Sequence, residues 1–233
     1  MLLGLSPIWS LGQAKEYFDE AEAYRAKGNY KLAVQYYNKA NAVASDNDWL
    51  TAATHCGLGL VHSSRKDEWQ AIAEFGRAIS IYPTKAEFYA YRARSRLRLN
   101  YLTDAKNDCE RALKLEPNNW SAQYILGLTL YEMSDLTSAI KHLTIAIEER
   151  PEIAELYSKR ANCKARIGDQ YGAFSDYTRI VEIGDKDYLG EAYYKRGHLY
   201  VLWNEKTKGC VEFSKAGEQG VKEAYEAIRR LCY

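Results

Sequence analysis

Small and bulky apolar residues recur along the chain with a period close to 34 residues. In five segments an alanine is followed four positions later by a larger residue, and these alanines are Ala33, Ala71, Ala105, Ala139 and Ala173. Three of the four intervals between them are 34 residues, the first is 38, and a sixth copy places Gly209 36 residues further on. This period predicts an array of similar structural units.

A second set of small residues stands twelve positions before the first set in every copy. Its members are Ala21, Gly59, Ala93, Gly127, Ala161 and Gly197. Antiparallel helices approach closely where their facing side chains are small, so the paired positions predict a helical hairpin in each unit. We call the bulky residue four positions after each Ala33-type site the knob residue and expect it in the core. The knob residues are Tyr37, Phe75, Cys109, Leu143, Tyr177 and Phe213.

The turns within the hairpins are expected at KGNY, RKDE, RLNY, EMSD, IGDQ and WNEK. Their Gly, Asn, Asp and Ser residues favour helix ends and N-caps. After Gly220, the segment VKEAYEAIRRLCY reads as a final amphipathic helix that covers the last hairpin, as the end of a repeat array requires.

The order aromatic, Leu, Gly, Tyr, Ala, Phe, Ala, Pro within a 34-residue unit resembles the tetratricopeptide repeat, as in LYEMSDLTSAIKHLTIAIEERP. Pro83, Pro117 and Pro151 fall at the helix-ending position of that family, whereas Ser45, Asp185 and Val221 replace the proline in repeats one, five and six. The resemblance implies an all-α, right-handed superhelical solenoid of stacked antiparallel helix pairs. The expected repeats are 14–47, 52–85, 86–119, 120–153, 154–187 and 190–223, followed by a capping helix at 221–233.

Arginine occupies the seventh position of repeats three, five and six, where the family often has leucine. An acid stands sixteen residues later in the same three repeats, across the hairpin. We therefore predict three structural ion pairs, Arg92 with Asp108, Arg160 with Asp176, and Arg196 with Glu212. Arg96 lies beside Arg92 at a packing position that tyrosine usually holds.

The resemblance also implies a concave groove that binds a partner through fixed positions of each first helix. Carried over residue by residue, the groove contains Arg94, Arg98, Tyr124, Tyr131, Asn162, Arg166, Tyr194 and His198. Arginine grips carboxylates and tyrosine offers amphipathic contact area, so an acidic segment near repeats three to five is the expected partner. The lysine and asparagine clamp of chaperone-binding members is absent, because repeat five has Ser158 before Asn162.

Charge and motifs narrow the function classes. Lys and Arg number 32 against 31 Asp and Glu, so the net charge of +1 lacks the field that nucleic-acid binding needs. The chain has no Gly-rich phosphate loop, HExxH or GxSxG motif, and its cysteines and histidines lack metal-site spacing. We expect no enzyme activity, cofactor, metal or small-molecule substrate. Tyr17, Tyr89, Tyr157 and Tyr193 occupy the fourth position of their repeats, where the family resemblance implies an aromatic residue that packs between stacked hairpins.

The compartment stays open between two interpretations. Residues 1–13 are apolar and uncharged, so they are either a signal-peptide remnant, which favours export, or an apolar N-terminus that packs on the first helix of a cytoplasmic protein. Cys210 and Cys232 are expected at adjoining ends of the last two helices, as a disulfide after export or as buried thiols in the cytosol. Cys56, Cys109 and Cys163 fit small apolar positions.

Two functions follow from these patterns. The first is a non-enzymatic scaffold that holds an extended or helical, acidic segment of another protein in the groove. The alternative is a structural subunit that assembles into a larger complex, such as one at an envelope, through its end repeats or apolar N-terminus.

Overall fold

A computed structural model describes residues 7–44 and 47–233 of the chain. Within these ranges the regular secondary structure is entirely helical and comprises thirteen α-helices. The helices are α1 Pro7–Ala26, α2 Tyr30–Val43, α3 Asp48–Ser64, α4 Glu68–Ile81, α5 Ala86–Arg98, α6 Leu102–Leu115, α7 Trp120–Glu132, α8 Leu136–Glu149, α9 Ala154–Arg166, α10 Gln170–Ile183, α11 Lys186–Leu202, α12 Lys206–Glu218 and α13 Lys222–Leu231. The expected all-α class, with six helical pairs and a final capping helix, is confirmed.

Parts of the N-terminal segment and of the first repeat junction lie outside the residues that the structure describes. Residues 1–6 and Ser45 lie outside the described residues, whereas residues 7–13 form the beginning of α1. Among the described residues, no helix has the combination of length and apolar character that crossing a membrane requires.

The chain forms two compact units, one up to Ile125 and one from Leu126, so that α7 contributes to both. In the first unit α1 pairs with α2, α3 with α4 and α5 with α6, and each pair packs on the next. In the second unit α9 pairs with α10 and α11 with α12, while α8 packs on α9, α10 on α11 and α12 on α13. Each hairpin therefore packs against its sequence neighbours within its unit.

The small residues allow the helices of a hairpin to meet closely around the knob residue. A Cβ added at Gly59 would lie 2.6 Å from the Phe75 ring, and one at Gly197 would lie 2.6 Å from the Phe213 ring. Both knob residues are almost completely buried. The expected role of the small sites in helix packing is thus met by direct contact between each glycine and the knob residue of its own repeat.

Gly209 gives a test of this packing. The Gly209→Ala change would put a methyl group 2.8 Å from the backbone carbonyl oxygen of Gly197, which cannot turn away as a side chain does. We expect a loss of about 1–3 kcal/mol in unfolding free energy, measured by urea denaturation. Thr207→Ala on the exposed side of the same helix is the control and should change stability by less than about 0.5 kcal/mol. Equal midpoints for the two variants would contradict the close approach.

The turn inside each hairpin has one backbone conformation throughout the array. In all six turns one residue has a positive φ between 62° and 85°, at Gly28, Lys66, Asn100, Ser134, Gly168 and Asn204. Asn29, Asp67, Asp135 and Asp169 then cap the second helix by accepting a backbone N–H with their side chains. The turn segments identified in the sequence are therefore confirmed.

Besides α1, which begins at Pro7, two first helices begin earlier than the repeat boundaries expected from sequence. Helix α3 begins at Asp48, capped by Asn47, and α11 begins at Lys186, capped by Asp185. Helix α3 lies within the 38-residue interval and α11 within the 36-residue interval, so the extra residues lengthen these helices at their N-termini. The proline junctions behave as expected, since α4, α6 and α8 each end two residues before a proline.

Candidate protein-binding surfaces

The three arginines at the seventh position contact the acids that stand sixteen residues later. Arg92 donates to Asp108 through Nε at 2.9 Å and Nη2 at 2.7 Å, and Arg160 holds Asp176 through the same two atoms at 2.9 and 2.6 Å. Arg196 Nη2 lies 2.9 Å from Glu212 Oε2. The three acids keep 3–6% of their side-chain surface exposed, so these pairs are interior contacts that fix the hairpins.

Each of these acids also binds a second cation, which was not expected from the sequence. Arg96 donates to Asp108 at 2.6 Å, Lys164 lies 2.9 Å from Asp176, and Lys215 lies 3.2 Å from Glu212. Arg96 and Lys164 stand four residues after the seventh-position arginine and thus on the same side of the helix. That spacing is the signal that could have identified them.

The ninth-position residues of several repeats contact the knob residue fifteen positions later. The hydroxyl group of Tyr177 donates to Asn162 Oδ1 at 2.9 Å, and Tyr37 makes the corresponding hydrogen bond to Glu22. His198 instead packs against the Phe213 ring, with ring centroids 5.0 Å apart. Asn162 and His198, both expected in the groove, are therefore also tied to the interior of their own hairpins.

Arg94 stands out on the surface of the first unit. Its guanidinium donates to Ser121 Oγ at 3.1 Å and lies over the Tyr91 ring. It forms no ion pair with any carboxylate among the described residues. It lines an open cavity of about 920 Å³, whose lining residues are Glu87, Ala90, Tyr91, Arg94, Leu115, Glu116, Pro117, Asn118, Asn119, Trp120 and Ser121.

Arg98 has a structural contact that was not expected from the sequence. Its Nη1 lies 2.7 Å from both Glu68 Oε1 and Ser63 Oγ, which belong to the preceding repeat. About half of the Arg98 side chain is exposed, while Glu68 is buried. Arg98 and Arg94 together line a second open cavity of about 630 Å³ in this unit. Of the two groove arginines in the first unit, Arg94 is thus the one that has no carboxylate partner among the described residues.

The remaining groove candidates differ in exposure. Tyr124 departs from the expected surface role, because only 9% of its surface is exposed. In the second unit the Arg166 guanidinium lies 4.8 Å from the Tyr131 ring centroid, and Arg166 is exposed. These two residues form a cation–π contact.

Tyr194 and His198 line an open cavity of about 410 Å³ between α11 and α13. Their rings lie 4.6 Å apart in an edge arrangement. Burial lowers the pKa of His198 below its ordinary value, and the positive charge of Lys195 acts in the same direction. His198 is therefore neutral at pH 7.

The cysteines divide into a bonded pair and buried thiols. Cys210 and Cys232 form a disulfide that joins α12 to the residue after α13. Cys56, Cys109 and Cys163 are free and buried. Burial raises the pKa of Cys56 to about 12 and that of Cys163 to about 11, so neither thiol ionises at neutral pH. Among the described residues no cluster of His, Cys, Asp and Glu could hold a metal ion.

Relatives among curated proteins match part of the chain. FK506-binding protein 59 of Drosophila melanogaster is 26% identical over 125 residues, covering 51% of this chain and 28% of the relative. Bacteriophage adsorption protein A of Escherichia coli is 31% identical over 150 residues, covering 60% and 15%. The Hsp70-Hsp90 organizing protein of Triticum aestivum is 27% identical over 136 residues, covering 57% and 23%. The chain spans less than a third of the length of each of these proteins.

Solved structures resemble the chain over more of its length. The structure of pilF from Pseudomonas aeruginosa matches with a TM-score of 0.80 at 14% identity, covering 94% of this chain and 97% of that one. YrrB, a tetratricopeptide repeat protein with an unusual peptide-binding site, matches with a TM-score of 0.66 at 20% identity, covering 83% and 97%. At these identities the likeness shows the fold alone.

Two family models, each described as a tetratricopeptide repeat, match residues 15–84 and 91–152. Together they span more than half of the chain, and they agree with the helical hairpins and the small residues at their crossings. The chain belongs to the tetratricopeptide repeat family.

Proposed function

We propose that the protein is a non-enzymatic scaffold that binds an acidic segment of a partner protein at Arg94 in its first unit. Tetratricopeptide repeat proteins mediate protein–protein interactions. The observation that carries the proposal is that Arg94, unlike Arg92, Arg96 and Arg98, forms no ion pair with a carboxylate among the described residues. A partner carboxylate would supply that missing anion.

Several donors converge beside Arg94. The Ser121 hydroxyl lies within hydrogen-bond distance of the guanidinium, and Ser121 belongs to the first turn of α7. Backbone N–H groups in the first turn of a helix lack acceptors within the helix and favour a negative charge. The Asn119 side chain already accepts from the Ala122 N–H group in this turn, so an Asp or Glu side chain, or a C-terminal carboxylate, could accept from Arg94 and from the Ser121 hydroxyl.

The acids nearby are already engaged. Glu87 lies 2.9 Å from the Lys85 ammonium group, and Glu116 accepts a hydrogen bond from the Asn119 side chain at 3.0 Å. The Lys85 ammonium group offsets part of the charge of Glu87, whereas the neutral Asn119 amide leaves the charge of Glu116 in place, and Arg94 is the one cation among the described residues that line the cavity. The cavity is large enough to admit several side chains of an extended segment.

Three further observations support a peptide partner over a small-molecule substrate. The cavity is open, whereas a small-molecule site buries most of its ligand. The relative YrrB is described as having a peptide-binding site, which agrees with this kind of ligand. The free thiols described above are un-ionised at neutral pH, so they do not favour nucleophilic catalysis.

The test compares three variants of the full chain. A library of fluorescently labelled 12-residue peptides rich in Asp and Glu is screened by anisotropy, and the best binder is titrated against each protein. Arg94→Glu should weaken binding at least about tenfold, since charge reversal removes a contact worth more than about 1.4 kcal/mol. Arg111→Glu, an exposed residue on α6, makes the same charge change away from the cavity and should bind like wild type.

Arg98 is left unchanged in this test, because reversing it would place a carboxylate beside the buried Glu68 and disturb the fold. Arg94→Lys separates charge from geometry and should bind with intermediate affinity. If Arg94→Glu and Arg111→Glu bind the acidic peptide equally well, or if no acidic peptide binds, the proposal is wrong.

The alternative function, assembly through an end of the array, has one observation in its favour. Leu11 and Trp49 are 41% and 46% exposed and line a largely apolar cavity of about 480 Å³ between α1 and α3. A stable homo-oligomer in light scattering that dissociates on Trp49→Glu would favour this function. A monomer at all concentrations would count against self-assembly at this end.

A further inference from the structure

The cavity between α11 and α13 in the second unit is formed by one face of each helix. Tyr194, His198, Val201 and Leu202 follow a helical spacing on α11. On α13 the lining residues are Glu223, Glu226, Ala227, Arg230 and Leu231, which also follow one face. We call this cavity the terminal groove.

The floor of the terminal groove is apolar and partly open to solvent. Leu202 is 62% exposed although it is a large aliphatic side chain, while Ala227 at the base is nearly buried. Val201 and Leu231 pack at the edge of the core cluster that contains Phe213. A partner that covers Leu202 would remove apolar surface from water, which is the main source of binding energy for such a surface.

The charged residues around the terminal groove favour a partner that carries positive charge. Glu223 and Glu226 lie one helical turn apart, are exposed, and make no ion pair with any other described residue. Arg230 is the one fixed cation among the lining residues. His198 adds no charge at pH 7, because burial lowers its pKa. The lining therefore carries an excess of negative charge beside an apolar floor.

We propose that the terminal groove binds a cationic amphipathic segment of a partner protein, whose apolar side chains cover Leu202 while its Lys or Arg side chains meet Glu223 and Glu226. The segment is opposite in charge to the one proposed for Arg94, and this inference does not depend on that function. Wrong partners with acidic flanks would be repelled by the two glutamates.

Two synthetic peptide libraries displayed on phage test the proposal with the full, oxidised chain. Both have Leu, Ile or Val at i, i+4 and i+7 of a 14-residue helix, and they differ in having Lys and Arg or Asp and Glu at the flanking positions. We expect binders from the cationic library alone. The best binder, made as a free labelled peptide, should lose at least about tenfold in affinity for Glu223→Lys combined with Glu226→Lys.

Two further variants distinguish binding in the terminal groove from charge attraction in general. Glu218→Lys on the exposed side of α12 is the matched control and should bind like wild type. Leu202→Asp should also abolish binding, and circular dichroism should show it folded because this side chain is mostly exposed. Binding that survives the double glutamate change, preference for the anionic library, or no enrichment from either library would overturn the proposal. Concentration-dependent self-association that Leu202→Asp abolishes would also overturn it, since a second copy would then occupy the groove.

Discussion

Replacing Asp176 by alanine is expected to lower the free energy of unfolding by about 3–5 kcal/mol, because the change strands two buried cations. Arg160 donates two hydrogen bonds to this carboxylate and Lys164 lies 2.9 Å from it. Only 3% of the Asp176 side chain is exposed, and the two cations are also mostly buried. Water therefore cannot readily replace the missing carboxylate.

Urea denaturation followed by far-ultraviolet circular dichroism measures this loss. Glu182→Ala on the same helix is the control, since Glu182 pairs with Arg179 at the surface and is 57% exposed. Such surface pairs contribute about 1 kcal/mol or less. If the two variants unfold within about 1 kcal/mol of each other, the buried cluster does not stabilise the hairpin as its geometry indicates.

Breaking the Cys210–Cys232 disulfide is expected to remove about 3 kcal/mol of stability, because the bond closes a loop and restricts the unfolded chain. The two residues are 22 apart in sequence, and the loop contains all of α13. Without the bond this ten-residue helix is held by its packing on α12 and by few other contacts. Amide hydrogens of α13 should then exchange markedly faster than those of α11.

Reductant should lower the thermal midpoint of the wild type but leave the Cys210→Ser and Cys232→Ser double variant unchanged. The other three cysteines are free and buried, so they give the reductant no second bond to break. Thiol titration of the denatured, unreduced protein should find three free sulfhydryl groups. Finding five would show that the bond does not form.

The repeat, its turns and the knob residues could be predicted from sequence because each depends on residues within one hairpin. The same reason explains why sequence placed Arg92 opposite Asp108, sixteen residues away in one repeat. The contact of Arg96 with Asp108 could have been predicted in the same way, because Arg96 lies one helical turn after Arg92 and reaches the same carboxylate. Because tyrosine usually holds the position of Arg96, the sequence favours a packing role there over an ion pair.

Contacts between neighbouring repeats could not be predicted in this way. Arg98 binds Glu68, thirty residues earlier in the chain and in a different hairpin. Its side chain is long enough to reach several candidates, and only the packing of α5 on α4 selects this one. Tyr124 is buried although the position rule of the family assigns it to the groove, so a rule based on position within a repeat did not indicate its burial.

The contact between ninth-position and knob residues has a consequence for altering this protein. Changing Asn162 alone would leave the Tyr177 hydroxyl, in a side chain 2% exposed, without its acceptor, at a cost of about 1–3 kcal/mol. Surface specificity and interior stability are therefore coupled at positions fifteen residues apart. Recombination that exchanges whole hairpins would preserve such pairs, whereas libraries that vary the surface one residue at a time would separate them.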